Sequence, residues 1–165
     1  MPGQQQDYIL RHIQTISRLI ARLKIKGKLL SEQDRTDVNE ALLFAMHLQE
    51  KNFGRPATEF LTLTADDQFA AFLRTESKIT GHERCLTFVR LLRETADLYA
   101  ILDRTELAAG ARRLALHLAL RVALDQPEEP TVVGDNVNAL VTLLEGAELH
   151  PPTQELLEQY RESRT

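Results

Sequence analysis

The 165-residue sequence contains no tryptophan, 5% aromatic residues and a single cysteine, Cys85. One cysteine can form neither an internal disulfide nor a structural zinc site, so the fold depends on its hydrophobic core. No stretch approaches the roughly eighteen consecutive apolar residues of a membrane span, so we expect no transmembrane segment. The polar first residues also lack the apolar core of a signal peptide. These absences indicate a cytoplasmic protein.

The sequence also lacks the short motifs of common enzyme classes. Its seven glycines are scattered singly, which excludes glycine-rich phosphate loops and the nucleophile elbow of α/β-hydrolases. His82 and Cys85 in "HERC" could contribute to a soft-metal site with a third ligand from elsewhere. A cysteine on the apolar face of a helix is, however, more typical of a core residue. We therefore expect no metal site, no cofactor and no catalytic residue.

The charge of the chain is unevenly distributed. The net charge is −4, but residues 1–30 hold six basic residues against Asp7 alone, a balance of +5 that leaves −9 for the remainder. A basic segment can bind nucleic acid, an anionic membrane or an acidic partner, or it can pack on an acidic body. This segment lacks the interleaved aromatics of nucleic-acid-binding domains and the Trp or Phe of membrane-surface helices. We expect no nucleic-acid partner and no membrane-surface partner, and we favour a structural helix.

Apolar residues recur at helical spacing along the whole chain, and Leu and Ala dominate. This pattern predicts one all-α domain over residues 1–165, an antiparallel bundle or array of about seven helices joined by mostly short loops. Residues 1–6 are expected to form a disordered tail and residues 7–26 a basic amphipathic helix. The apolar side of that helix has a coiled-coil-like seam with spacings of four and three residues: Ile9, Ile13, Ile16, Ile20 and Leu23.

Three further features locate helices along the chain. Ser31 predicts the start of the second helix, with Asp34 completing a weak capping box. The longest predicted helix covers about 81–103 and has two adjoining apolar faces, so we expect neighbours on two sides. Asp135 predicts the N-cap of a later helix, after a break over "DQPEEP", residues 125–130.

Arg113, His117 and Arg121 lie four residues apart in "ARRLALHLALRVAL", residues 111–124. At about 100° per residue they share one side of an otherwise apolar helix, predicted over about 106–125. One interpretation is the solvent edge of an enclosed helix, paired with Glu94 or Asp97 of a neighbouring helix. The other is a groove for an anion or an acidic peptide, which makes the three side chains candidate binding residues.

Residues 96–130, "ADLYAILDRTELAAGARRLALHLALRVALDQPEEP", resemble the helix pairing of tetratricopeptide repeats. A helix ends with a tyrosine, a short turn follows, and an Ala- and Leu-rich helix closes in a way that is similar to the end of such a repeat. The opening "DYILRHIQTISRLIARL", residues 7–23, resembles the start of an uncharacterised bacterial family of small all-helical proteins. The resemblance implies a repeat-like C-terminal half and a protein-binding surface, and it assigns no functional residue.

These features favour a non-enzymatic protein–protein interaction or scaffold module. We expect its partner to be another protein or a second copy of the chain, a homo-oligomer formed through an apolar seam such as that of the first helix. The alternative is an enzyme or a small-ligand or anion-binding protein with an unfamiliar helical site, built on His82, His117 or the arginines.

Overall fold

The computed structural model describes residues 2–27, 29–74, 77–126 and 131–164. These residues form eight α-helices and no β-strand, which confirms the all-α prediction. The helices are α1 (Pro2–Lys26), α2 (Glu32–Phe53), α3 (Ala57–Phe60), α4 (Ala65–Arg74), α5 (Lys78–Ile101), α6 (Thr105–Asp125), α7 (Thr131–Leu143) and α8 (Pro151–Ser163). Within this part of the chain, no helix combines the length and the apolarity that crossing a membrane requires.

The helices α1 and α2 form an antiparallel hairpin, whose second helix begins with the predicted capping box. The Ser31 hydroxyl accepts the backbone N–H of Asp34, and the Asp34 carboxylate accepts the backbone N–H of Ser31. The Nζ atom of Lys26 lies 2.9 Å from the same carboxylate. The backbone donor first, and the lysine second, lower the pKa of Asp34 to about 2. The cap stabilises the start of α2, and the ion pair between Lys26 and Asp34 connects it with the end of α1.

The first helix begins at Pro2, so residues 2–6 are helical although the sequence indicated a disordered tail over 1–6. Met1 lies outside the described residues. Tertiary contacts explain the difference, because the Gln5 side chain donates to the carbonyl of Lys51 at the end of α2. The Gln6 side chain donates to the hydroxyl of Thr87 on α5. Hydrogen bonds from Gln5 and Gln6 to α2 and α5 thus hold this polar segment in the helix.

The apolar seam of α1 is buried inside the chain. Each of its five side chains is at most 4% exposed, and the seam packs against α2 and α5 in one hydrophobic cluster. Since the monomer already covers it, this seam cannot be the homo-oligomer interface that the sequence suggested. The basic side of α1 rests in part on acidic neighbours, with Arg22 3.7 Å from Asp37 and Lys24 3.6 Å from Asp97.

The central helix α5 packs on two sides, as its two apolar faces predicted. Leu91 and Leu98 join the cluster with α1 and α2. Cys85 and Phe88 join a second cluster that includes side chains of α4, α6, α7 and α8. The contact between α5 and α6 is the most extensive in the fold. The two helices are antiparallel, joined by residues 102–104, where Asp103 takes a left-handed conformation at φ 59°.

Five of the six phenylalanines form an aromatic cluster inside the second core. Four of these rings lie at centroid distances of 4.9 to 5.9 Å from one another: Phe53, Phe60, Phe72 and Phe88. The fifth ring, that of Phe69, stacks on the buried His82. Burial of such large side chains contributes roughly 1.5–3 kcal/mol each. Because three of the five come from α3 and α4, this cluster holds the short helices onto the body.

The seventh helix begins at Thr131, four residues before the predicted N-cap Asp135. Val133 and Val137 are buried at 0% and 1% exposure in the core cluster that also contains α6, so packing carries the helix past the polar residue. Most of the predicted break over residues 125–130 lies outside the described residues, which resume at 131. The α8 helix has Pro151 and Pro152 in its first turn, where the missing backbone N–H groups cost no intrahelical hydrogen bond.

Candidate functional site

His117, the central candidate residue, is buried between two helices that pack across α6. It is 4% exposed. Its Nε2 atom lies 2.7 Å from the Oδ1 atom of Asp66 on α4, and its Nδ1 atom lies 2.9 Å from the hydroxyl of Thr153 on α8. The interpretation of this side of α6 as a solvent edge therefore fails at His117, which α4 and α8 cover, whereas the side chain of Arg121 is still 40% exposed.

The two candidate arginines also contact neighbouring helices and loops. The Nε atom of Arg113 donates to the carbonyl of Glu148, before α8, at 2.9 Å. The guanidinium of Arg121 lies 5.0 Å above the ring of Phe69 on α4, and its Nε atom is 3.7 Å from Asp66. The ion pair expected with Asp97 is made instead by Arg112, at 3.0 Å. The structure thus brings the three candidates to one junction but uses each to connect α6 with its surroundings.

The chain of Thr153, His117 and Asp66 has the order of a Ser-His-Asp triad: a hydroxyl, an imidazole and a carboxylate. Its exposure is the reverse of a catalytic one. The hydroxyl-bearing Thr153 is 4% exposed, whereas the side chain of Asp66 is 57% exposed. A nucleophile must reach its substrate, and here the nucleophile position is the shielded one. The arrangement can orient helices but cannot attack a substrate.

A second buried histidine, His82, contacts the same phenylalanine as Arg121. His82 is 2% exposed, stacks on Phe69 at a centroid distance of 6.2 Å, and places Nε2 2.7 Å from Asp125. The Gln126 amide donates a hydrogen bond to Nδ1 at 2.7 Å. Nε2 therefore carries the ring proton and donates a hydrogen bond to the carboxylate of Asp125. Burial raises the pKa of Asp125, but the hydrogen bonds from His82 and Lys78 outweigh burial, and the pKa is lower than its ordinary value.

Both ring nitrogens of His82 are therefore occupied, which leaves no lone pair for the metal considered with Cys85. The thiol of Cys85 is fully buried, and burial raises its pKa far above the usual range. Within the described ranges, no group of three or more His, Cys, Asp or Glu side chains could hold a metal ion. We call the polar side chains that connect α6 with its neighbours the α6 junction, of which His82, His117 and Thr153 are buried and the others are partly exposed: Asp66, His82, Arg113, His117, Arg121, Asp125 and Thr153.

A polar cleft of about 680 Å³ lies between the start of α1, the end of α2 and the start of α5. Its two cationic side chains are already engaged. The Nζ atom of Lys51 lies 4.9 Å over the ring of Tyr8. The guanidinium of Arg84 donates to the carbonyls of Asn52 and Phe53, which closes the C-terminal end of α2. Lys51 and Arg84 therefore connect parts of the chain around the cleft, and their charges are not available to an anionic ligand.

The outer surface of the α1–α2 hairpin has a row of ring contacts. Tyr8 and His12 lie 4.4 Å apart between centroids, His12 and Phe44 4.8 Å apart, and Phe44 and His47 6.2 Å apart. Leu43, which directly precedes Phe44 on α2, is 75% exposed, whereas Tyr8, His12 and Phe44 are half-buried. The sequence signal for this surface was the spacing of Tyr8 from His12 and of Leu43 from His47, both at i, i+4.

Two arginines border the same surface. Arg11 and Arg18 are exposed on α1, and neither has a carboxylate partner among the residues that the structure describes. We call the combined surface the α1–α2 outer face, and it consists of Tyr8, Arg11, His12, Arg18, Leu43, Phe44 and His47. It is apolar and aromatic at its centre and basic at one edge, which is the composition of a recognition surface.

Comparison with known proteins adds no relative from which function could be transferred. No protein family, curated protein or solved structure matches the chain. The resemblance of residues 96–130 to tetratricopeptide pairing, and that of residues 7–23 to a bacterial helical family, therefore stay predictions. Function is therefore inferred from the geometry of the α6 junction and of the α1–α2 outer face.

Proposed function

We propose that this protein is a non-enzymatic protein–protein interaction module that recognises its partner through the α1–α2 outer face. The observation that carries the proposal is the exposed Leu43 beside the ring row of Tyr8, His12, Phe44 and His47. Soluble proteins rarely leave aromatic and large aliphatic side chains together at the surface without a function in binding. Tyrosine, phenylalanine and arginine are also the residues in which interfaces are enriched.

The inner polar residues support the same proposal by being occupied. Arg113, His117 and Arg121 were the candidate binding residues, and each contacts another part of the chain. A ligand at the α6 junction would have to displace these contacts. The outer face is less engaged. Tyr8 and Phe44 pack in part on the core and Lys51 lies over Tyr8, but Leu43 is 75% exposed, and Arg11 and Arg18 have no ion-pair partner among the described residues. The resemblance to tetratricopeptide pairing is a second, sequence-level support for an interaction role.

Complex formation tests the proposal directly. Partners are purified from cells of the source organism with the full chain, with the variant Leu43→Glu and with the matched control Ile79→Glu. The control changes a side chain of α5 that is 67% exposed. Captured proteins are identified and then recombined in purified form. Sedimentation velocity of the chain alone measures self-association in parallel. We expect a reconstituted complex with the wild type and with Ile79→Glu, and its loss with Leu43→Glu.

A different result would refute the interaction role. A strict monomer at high concentration, with no purified protein that recombines with it, contradicts the proposal. Native mass spectrometry of the same preparations would reveal a retained small molecule, and a stoichiometric one would favour the ligand-binding alternative. Circular dichroism of both glutamate variants confirms that each is folded, so a loss of binding can be assigned to the outer face.

A further inference from the structure

Resting on the proposed interaction function, we infer that the α1–α2 outer face binds an acidic amphipathic helix of a different protein. The apolar side of that helix would lie on Leu43 and the aromatic row, and its carboxylates would pair with Arg11 and Arg18. The inference specifies the chemistry of the partner as well as the surface, so it can fail while the general interaction role holds.

The apolar half of the argument comes from the antiparallel packing of the two helices. Tyr8 and His12 stand one turn apart on α1, and they face Phe44 and His47 of α2 across the hairpin. Two adjacent helices leave a shallow groove between them, which suits an amphipathic helix with anchors at i, i+3, i+4 and i+7. Since the rings already contact one another, ordering them on binding costs little entropy.

The charged half comes from two arginines without carboxylate partners. Arg11 and Arg18 are seven residues apart on α1, which places them about 10 Å apart along the helix axis. Carboxylates at i and i+7 of a partner helix have the same spacing. Nearer the end of α1, Arg22 and Lys26 already have the carboxylates of Asp37 and Asp34 within 4 Å. Arg11 and Arg18 are thus two exposed cations on the helix that carries Tyr8 and His12, with Asp7 one turn before Arg11 in the same surface depression, and their charge favours an acidic partner.

The same charges argue against two other occupants. A second copy placed by a two-fold axis would present the same patch, which brings four of these arginines into one interface while none of the seven residues of the outer face supplies a carboxylate to pair with them. A nucleic acid or an anionic membrane would approach a chain whose net charge is −4, with −9 outside residues 1–30, and long-range repulsion would oppose a polyanion. A short acidic helix contacts the basic edge alone and avoids both penalties.

Selection from a displayed library of randomised helical peptides tests the inference with the full chain as target. We expect the enriched peptides to carry Asp or Glu on the edges of an apolar stripe. One enriched peptide is then synthesised with a fluorophore, and its affinity is measured by fluorescence anisotropy. The double variant Arg11→Glu/Arg18→Glu should weaken binding about tenfold or more, since reversing two contacted charges costs more than the 1.4 kcal/mol that corresponds to a factor of ten.

Matched controls separate this surface from the rest of the chain. Leu43→Glu should also weaken binding about tenfold or more. Arg161→Glu, at an exposed arginine of α8, and Ile79→Glu should leave affinity within about twofold, because isolated exposed side chains outside an interface contribute little. All variants are compared at one ionic strength, since screening weakens every exposed ion pair.

Each remaining outcome overturns the inference. Enrichment of basic or uncharged peptides refutes the acidic partner, and affinity that is insensitive to both outer-face variants refutes the surface. Tighter binding of a single-stranded oligonucleotide, or of phosphatidylserine vesicles, through the same arginines would assign the face to a polyanion. If purified complexes form but no acidic peptide is enriched, this inference fails and the interaction role stands. If neither is found, both fail.

Discussion

Replacing His117 by alanine should destabilise the fold without touching the α1–α2 outer face. The imidazole is 4% exposed and makes two hydrogen bonds, to Asp66 and to Thr153. A neutral hydrogen bond contributes about 0.5–1.5 kcal/mol net, and one to a charged group about 1.5–3 kcal/mol. Because the Asp66 side chain is 57% exposed, water competes for the carboxylate and the lower end of that range applies.

The neighbouring residues sharpen the expected magnitude. The variant His117→Ala leaves the buried Thr153 hydroxyl without its partner, and it opens a cavity between α4, α6 and α8. We expect a loss of about 3 kcal/mol in the free energy of unfolding. The variant Asp66→Ala removes an exposed partner and should cost about 1.5 kcal/mol. Urea unfolding followed by circular dichroism measures both values, and the slope m should stay constant between variants.

The ordering of the two variants decides the question. If His117→Ala cost less than Asp66→Ala, or if it were neutral, the histidine would not be an interhelical connector. A neutral substitution that abolished binding of a partner would return His117 to the role of a binding residue. A double-mutant cycle between His117 and Thr153 isolates the buried pair, and a coupling energy near zero would contradict the hydrogen bond that we assign to them.

Further predictions concern single sites. Gly81→Ala should destabilise the fold by about 1–3 kcal/mol, because its Cβ atom would lie 2.7 Å from a backbone carbonyl of α4. Gly110→Ala in α6 should stabilise the fold by about 0.4–1 kcal/mol, because the space around that position is open. Unfolding curves of the two variants measure both effects. The lowered pKa of Asp34 favours the folded state at neutral pH, and this stability should be lost as the pH falls from about 4 towards about 2. Asp34→Asn should flatten that acid limb in urea titrations at several pH values, and an unchanged limb would refute the roles of Ser31 and Lys26. The Cys85 thiol should react with a thiol reagent at the rate of unfolding, and rapid labelling of the native protein would contradict its burial.

Local features were predictable from the sequence because they depend on residues close in the chain. The capping box joins Ser31 to Asp34, three residues away. The two faces of α5 follow from helical periodicity within a single segment, and both faces are buried as expected. The helical class follows in the same way from composition and spacing along the chain.

Long-range contacts were not predictable by such means. Asp66 and Thr153, the partners of His117, are 51 and 36 residues away in sequence. No spacing rule places α4 and α8 across α6, so the basic row of α6 looked like an uncovered edge. In this fold a histidine on an apolar helix marks the place where two other helices cross it. The same limitation hid the start of α1, where Gln5 and Gln6 contact distant helices.

The α1–α2 outer face was partly visible in the sequence but was divided between two segments. Tyr8 and His12 belong to one helix, and Phe44 and His47 to the other. Each pair looks like an ordinary surface turn by itself. Antiparallel packing of the hairpin is needed to align the rings into one row, and the buried seam of α1 against α2 holds the two helices in that arrangement.

Comparing the affinities of two variants distinguishes the binding surface from the structural junction. The selected acidic peptide is titrated against Arg11→Glu/Arg18→Glu and against His117→Ala, both held at about 10 °C, where a loss of about 3 kcal/mol leaves a domain of ordinary stability folded. We expect the double arginine variant to be as stable as the wild type and to lose binding about tenfold or more, while the histidine variant is less stable and binds like the wild type. Loss of binding with His117→Ala, together with retained binding in the arginine variant, would contradict this expectation.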